Sequence, residues 1–293
     1  MQLKKMMSFA LAAMMAFSVV GCGSSGGDEK KTADAGITGS VTASGSSALL
    51  PLAKDAAAKF KEKNPKVSIT LNGGGSGTGL KQVSDGSVDI GNSDVAAETK
   101  LSKEKAAELV DHKVCVITMA PVINKDVAQQ VKSLSKQQLI DIFTGKVTNW
   151  NQVGGPDEKI VLISRPSTSG TRALFEQYAL DGNKEATNKS LETDDSGTLL
   201  QSVIDNKGAI GYVALSYLVN NDKVAPVAID GVEPTLENTY NGKYPVWGYE
   251  HMYTKGEAKN AVKAFLDYIM SDEYGKLMEA QGYGITSKMT VQR

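Results

Sequence analysis

Arg165 opens a turn, Ser164 to Phe175, that gathers four hydroxyls at Ser167, Thr168, Ser169 and Thr171 around Pro166 and Gly170. An apolar run, Ile160 to Ile163, precedes it, and Leu174, Phe175, Tyr178 and Ala179 follow at helical spacing, so the turn joins a strand to a helix. Two other stretches have the same design, "SGSSALLP" (Ser44 to Pro51) and "GGGSGTGLK" (Gly73 to Lys81). In each, a serine falls near the predicted helix N-cap: Ser47, Ser76 and Ser169. A helix start carries free N–H groups and a partial positive charge, glycine lets the backbone approach a ligand, and hydroxyls add donors. Each turn alone is an ordinary capped helix start. Three of them with one arginine are the chemistry of an oxyanion site.

Other chemistries fit less well. "GGGSGTGLK" lacks the Lys directly after its last Gly that a phosphate-binding P-loop needs, and fits neither GxGxxG nor GxSxG, which disfavours a nucleotide. The chain has only two histidines, His112 and His251, neither at metal-ligand spacing from a Cys or another His. Zinc and Cys-His catalysis are therefore unsupported, and a hydrolase using Ser76 or Ser169 as nucleophile lacks its histidine. No metal and no cofactor is expected. Asp94, at the end of "VDIGNSD", reads locally as an Asx turn or cap. "DDSGTLL" (Asp194 to Leu200) reads as a structural cap, because Asp194 and Asp195 would repel an anion. Arg172, already inside its helix, is expected to point outward.

The elements that must position these groups alternate strand and helix, the pattern of an α/β fold. Ile37 to Ala43 reads as a strand, followed by a helix with Leu49, Leu52, Ala53, Ala56, Ala57 and Phe60 on one face and its end at Asn64-Pro65. Lys66 to Leu71 and Val88 to Gly91 read as strands around a short helix near Leu80 to Ser84. His112 to Ile123 is a long apolar run broken by Pro121, with Cys115 as a buried core residue. Ser135 to Phe143 starts with a capping box of Ser135 and Gln138. Leu199, Leu200, Val203 and Ile204 mark a helix, Ala209 to Val213 and Val224 to Ile229 strands, and Tyr244 to Tyr253 an extended aromatic segment. Val262, Phe265, Leu266, Ile269 and Met270 mark the strongest amphipathic helix.

At 293 residues there is room for two domains. The net charge of -1 excludes the basic surplus of a nucleic-acid binder, so a charged ligand has to be met by a local site. Lys4 and Lys5 followed by the apolar stretch Met6 to Val20 read as an export signal, too short to span a membrane. Its end, Val19-Val20-Gly21-Cys22, resembles the bacterial lipobox, which implies diacylation of Cys22 and a membrane anchor. Acylation of Cys22 leaves Cys115 the only thiol and excludes a disulfide within the chain. Gly23 to Gly36 has no apolar face and reads as a tether.

The ordered series "SGSSALLPLA", "GGGSGTGLKQV", "VDIGNSD", "GKVTNWNQVGG", "SRPSTSGTRALF" and "NKGAIGYVALS" is similar to the phosphate-binding lipoproteins of phosphate ABC importers, from about Ile37 to Gly284. The resemblance implies a two-lobed periplasmic-binding-protein fold, with crossing strands near His112 to Ile123 and Tyr244 to Tyr253. It divides the chain into a signal peptide at 1–21, a tether at 22–36, a first lobe at 37–118 and 250–293, and a second lobe at 119–249. It implies a monomer that is not an enzyme, binds inorganic phosphate and meets membrane permease subunits, with no nucleic-acid partner. The implied phosphate contacts are Ser47 and the Ala48 N–H, Ser76, Asp94, Arg165, Ser169, Gly170 and Thr171. Many members have Thr and a large residue where this chain has Ser47 and Ala48, so a frame shifted by one would make Ser46 the ligand instead. Asp94 then acquires a reason: an ionised carboxylate accepts a proton from phosphate and repels sulfate, which has none to offer.

Overall fold

The computed structural model describes residues 36–186, 190–193 and 195–293. The signal segment, Cys22, nearly all of the tether and Asp194 lie outside them. The fold is α/β. The first lobe begins with β1 (Gly39–Gly45), α1 (Leu50–Lys63), β2 (Val67–Asn72), α2 (Ser76–Asp85), β3 (Ile90–Ser93) and α3 (Lys103–Ala107). Then β4 (Leu109–Asn124) runs out of that lobe into α4 (Lys125–Ala128), β5 (Ser133–Leu134), α5 (Lys136–Phe143), β6 (Val161–Ser164), α6 (Gly170–Tyr178) and β7 (Ser190–Glu192). α7 (Ser196–Asp205), β8 (Ala209–Ala214), β9 (Val224–Pro226), β10 (Ala228–Ile229) and α8 (Leu236–Tyr240) complete the second lobe. β11 (Trp247–Lys255) returns the chain to the first lobe, which α9 (Asn260–Ile269) and α10 (Asp272–Met278) close.

One curled sheet links the lobes in the order β2-β1-β3-β11-β4-β8-β6-β7, with β9 also paired to β4. β4 makes the link. Its first part, Leu109 to Thr118, pairs antiparallel with β11, and Met119 to Ile123 pairs antiparallel with β8. Pro121 does not break this strand as the sequence suggested. Proline is compatible with extended backbone where no donor is needed, and the Pro121 carbonyl still accepts from Val227 N at 2.9 Å. The predicted strand at 224–229 is two strands. After that bond the chain leaves β4 and pairs with β5 instead. β1 and β3 begin two residues later than their patterns indicated, and α2 is longer, whereas α5 carries the predicted capping box.

Two main cores follow from the burial pattern. One unites Leu49, Leu52, Ala53, Ala56 and Phe60 of the α1 region with Cys115 and with Phe265, Leu266 and Ile269 of α9. The other centres on Phe143, Trp150, Phe175 and Tyr212, with Phe175 stacked on Tyr212 at 4.3 Å between ring centroids. Beside that stack lies Glu185, a carboxyl only 5% exposed. Burial pushes it up to about 8, against the opposing pull of Tyr212 and Arg172. A carboxyl raised in this way binds its proton in the fold at pH values where the unfolded chain has released it. Its contribution is complete below the unfolded value and is lost as pH rises toward 8. The wild type should therefore lose stability relative to Glu185→Gln between about pH 5 and 8, by up to about 1.4 kcal/mol per pH unit. Thermal unfolding of both proteins across that window measures this, and a constant difference would contradict a neutral Glu185.

Candidate functional site

The turn ahead of α1 separates the duties of two adjacent serines. Ser46 Oγ accepts from Ala48 N at 3.1 Å and Leu49 N at 3.0 Å and so fixes the turn just ahead of the helix. The N-cap of α1 is Leu49, with no side-chain cap, and not the expected Ser47. Ser47 turns toward the second lobe, where its Oγ accepts from Arg165 Nη2 at 3.3 Å and from Ser196 N at 3.2 Å. The Ala48 N–H that the family resemblance assigns to an anion is held by Ser46, and its methyl is buried in the core.

The cap expected at Ser76 also moves by one. Gly75, at φ 84°, is the N-cap, and Ser76 is the first residue of α2. Ser76 Oγ accepts from Asp94 N at 3.0 Å. Asp94 does not close a local Asx turn. Its Oδ2 accepts from Thr171 Oγ1 across the lobes at 2.8 Å, while Oδ1 is buried without a partner. Ser169 caps α6 as predicted, accepting from Arg172 N at 3.2 Å. Gly170 is needed for closeness: a β-carbon there would overlap Ser76 Oγ and lie 3.0 Å from Asp94 Cβ. The two lobes meet at this point with no room for a side chain.

Arg165 is fully buried. Its Nε donates to Thr193 O at 3.1 Å and its Nη1 to Ser196 Oγ at 3.1 Å. Arg172 does not point outward. It is 8% exposed, with Nε on Glu176 Oε1 at 2.8 Å and Nη1 on the Arg165 carbonyl at 2.7 Å. The i to i+4 pair with Glu176 pulls its chain down along α6, and the free end of the guanidinium props the backbone from which Arg165 projects. Glu176 also accepts from Lys184 at 2.6 Å, and although burial opposes it, these partners hold its carboxyl below the usual range.

Ser196 is the residue that sequence reasoning missed. Asp195 caps α7 by accepting from Thr198 N at 2.6 Å, which engages its carboxylate. Ser196, behind that cap, is buried against Ser47 and Arg165. The signal was present: Ser-Gly-Thr stands at the start of α2, α6 and α7 alike, as Ser76, Ser169 and Ser196 with their followers. The acidic prefix obscured it.

Further bonds tie the lobes. Gly77 N donates to Thr168 O at 2.9 Å, and Tyr217 Oη to Ser47 O at 2.7 Å. Lys100 Nζ donates to Ser167 O at 2.7 Å. A cavity of about 400 Å³ lined by Ser47, Gly73, Gly74, Asp195, Gly197 and Tyr217 adjoins them. Among the described residues no group of three His, Cys, Asp or Glu could hold a metal. His251 is committed to Asp111 at 2.8 Å, and burial pushes the Cys115 thiol well above its ordinary range. What converges here is one guanidinium, a set of hydroxyls, three helix N-termini and one carboxylate. That set can bind an anion that carries a proton.

Two α/β lobes joined by crossing strands, with such a site between them, define a class of solute-binding proteins. The chain belongs to the PBP superfamily: the PBP superfamily domain matches residues 30–273. It is 46% identical over 299 residues to the phosphate-binding protein PstS of Bacillus subtilis (strain 168), an alignment covering 100% of this chain and 98% of that protein. PstS of Staphylococcus epidermidis (strain ATCC 12228 / FDA PCI 1200) is 28% identical, covering 92% of this chain and 86% of its own. Among solved structures, a phosphate ABC transporter substrate-binding protein from Clostridium perfringens, with bound phosphate, superposes with a TM-score of 0.77. It is 34% identical and covers 85% of this chain and 100% of its own.

The role of Arg172 is structural, and stability reads it directly. Arg172→Ala leaves Glu176 buried with one partner fewer and releases the Arg165 carbonyl. Breaking one side of a buried pair costs about 3–5 kcal/mol. Urea unfolding should show a loss of that order, and an unchanged midpoint would mean that Lys184 alone satisfies Glu176.

Proposed function

We propose that this chain captures inorganic phosphate between its lobes and delivers it to the permease subunits of an ABC importer. The observation that carries the reading is the convergence of Ser47, Ser76 and Asp94 from one lobe with Arg165, Ser169, Gly170 and Thr171 from the other at a buried junction. The high identity to a protein named for phosphate binding along its whole length supports it. The lobes are residues 37–118 with 250–293, and 119–249. An anion bridging them makes contacts available only when they are closed, so it favours closure. The chain acts as a binder and not an enzyme, a reading supported by its similarity to proteins named for phosphate binding.

Charge and donors divide the work. Arg165 supplies the fixed positive charge and a planar fork suited to oxyanions. The hydroxyls and the N-termini of α2, α6 and α7 supply neutral donors that do not overcompensate a divalent anion. Asp94 supplies selectivity. A carboxylate offers about four acceptor positions, of which Thr171 fills one. Phosphate near neutral pH brings a proton to another, and sulfate does not. Ser47 is the first-turn ligand in this reading, because Ser46 is occupied by the turn ahead of the helix.

Calorimetry of the purified protein with phosphate, sulfate, arsenate and molybdate tests the reading. Phosphate should bind with the highest affinity of the non-arsenate anions. Arg165→Ala should weaken it on the order of several hundred-fold, the equivalent of about 3–5 kcal/mol. Asp94→Asn should lower the ratio of phosphate to sulfate affinity by at least about tenfold, since an unpaired polar contact costs roughly 1–3 kcal/mol. An unchanged ratio would remove Asp94 as the filter, and no phosphate binding by the wild type would remove the function.

Cys22 anchors the chain by lipid at the periplasmic or extracellular face of the membrane, as a monomer. The lipobox-like run and the featureless segment after it support this. Cys22→Ala should shift the protein from the detergent phase to the aqueous phase on partitioning of cell extracts, while phosphate affinity stays unchanged. Equal partitioning would exclude the anchor.

A further inference from the structure

Glu250 is a carboxyl with no solvent exposure, on β11 at the crossing between lobes. Neither of its oxygens has a hydrogen-bond donor. The strand register explains where it points. His251 pairs antiparallel with Ser93 and Glu250 with Cys115, so Glu250 stands next to Asp94, the residue after Ser93. The ladder slips between Glu250 and His251, leaving Val114 as an extra residue on β4, and bulges of this kind re-aim side chains beside sites. Asp94 Oδ1 is likewise buried and without a partner, while its other oxygen is held by Thr171. Two buried carboxyls side by side, with three of their four oxygens lacking a donor, cannot both be ionised.

We infer that Glu250 is a positioning residue for Asp94: a neutral carboxyl whose hydroxyl donates to Asp94 Oδ1 and keeps the pair at one negative charge. The groups around Glu250 agree. Burial and the charge of Asp94 hold the Glu250 carboxyl well above the usual range. The other titratable groups that interact with it are Cys115 on β4, Tyr217 after β8 and Tyr283 after α10. All three are pushed up by burial and carry no charge at neutral pH, so no cation among them offsets an ionised Glu250. The hydroxyl of Glu250 anchors Asp94 from behind, and Thr171 from the facing lobe. The remaining lone pairs of Asp94 stay aimed at the interlobe site. A carboxylate so anchored stays an acceptor.

The selectivity consequence rests on the phosphate reading, whereas the protonation state does not, and the test separates them. The infrared spectrum of the ligand-free wild type at neutral pH should contain two buried protonated-carboxyl contributions, that of Glu185 and a second band that E250Q removes. Titrations with phosphate and sulfate should give E250Q an affinity ratio within about threefold of wild type, because an amide N–H replaces the hydroxyl as donor. In E250L the donor is gone. Its phosphate-to-sulfate ratio should fall at least about tenfold. If E250L does not fold, the band and the E250Q titrations decide. A spectrum unchanged in E250Q, an E250Q ratio as low as in Asp94→Asn, or a folded E250L with the wild-type ratio would each overturn the inference. A band that disappears in E250Q from a protein that binds no phosphate would leave the Glu250–Asp94 pair standing and remove the phosphate reading.

Discussion

The molecule is organised around a guanidinium with no access to water. Placing a full positive charge at a lobe junction is costly unless oriented dipoles or an anion replace its hydration. Arg165 meets this with a backbone carbonyl, Ser196 and, from the opposite lobe, Ser47. Its own backbone is immobilised by Arg172, which is in turn fixed by Glu176. Two arginines seven residues apart thus have opposite roles. One stands at the junction, and the other pairs with Glu176 and holds the backbone of the first in place.

Closeness of the two lobes depends on small residues at the contact. Gly170 lies against Ser76, and Gly77 donates its N–H to Thr168, so backbone from one lobe touches backbone from the other. Helix starts suit this purpose. Their first N–H groups are unpaired within the helix and point outward along the axis, and a small residue there leaves them accessible. The same demand for satisfied N–H groups explains why Ser46 and not Ser47 serves the turn ahead of α1. A hydroxyl that accepts from Ala48 and Leu49 is fixed in place, and the neighbouring hydroxyl is thereby directed across the junction.

The negative side of the junction is as carefully confined as the positive side. Asp94, placed by β3 and its bond to Ser76, contributes a carboxylate among hydroxyls and a guanidinium. A second carboxyl, Glu250, lies behind it on the strand that carries the chain back between the lobes. The crossing strand therefore joins the lobes mechanically and also brings the Glu250 carboxyl beside Asp94.

Much of this could be read from the chain. Helical spacing in α1 and α9, the capping box at Ser135 and the alternation in β2 are local patterns, because each element must show one face to a core whatever its partners. The strand-to-helix turns with serine and glycine were visible for the same reason, and they singled out Ser47, Ser76, Arg165 and Ser169 to Thr171, whereas Asp94 read locally as a turn or cap and was assigned to the anion only by the family resemblance. What the sequence could not decide depends on contacts between segments far apart in the chain. Pro121 reads as a breaker until Val227 is seen to take its carbonyl. Arg172 reads as a surface charge until Glu176 and the Arg165 carbonyl are found beside it. Ser196 reads as part of an acidic cap until α7 is placed against Ser47. Glu250 shows no local pattern at all, because its significance comes from the register of β11 on β3 and β4. Local hydrogen bonding and periodicity are properties of neighbouring residues and survive in the sequence. The ionisation of a buried group and the choice of its partner are set by whichever distant segments exclude water from it, and these are determined only when the lobes are assembled.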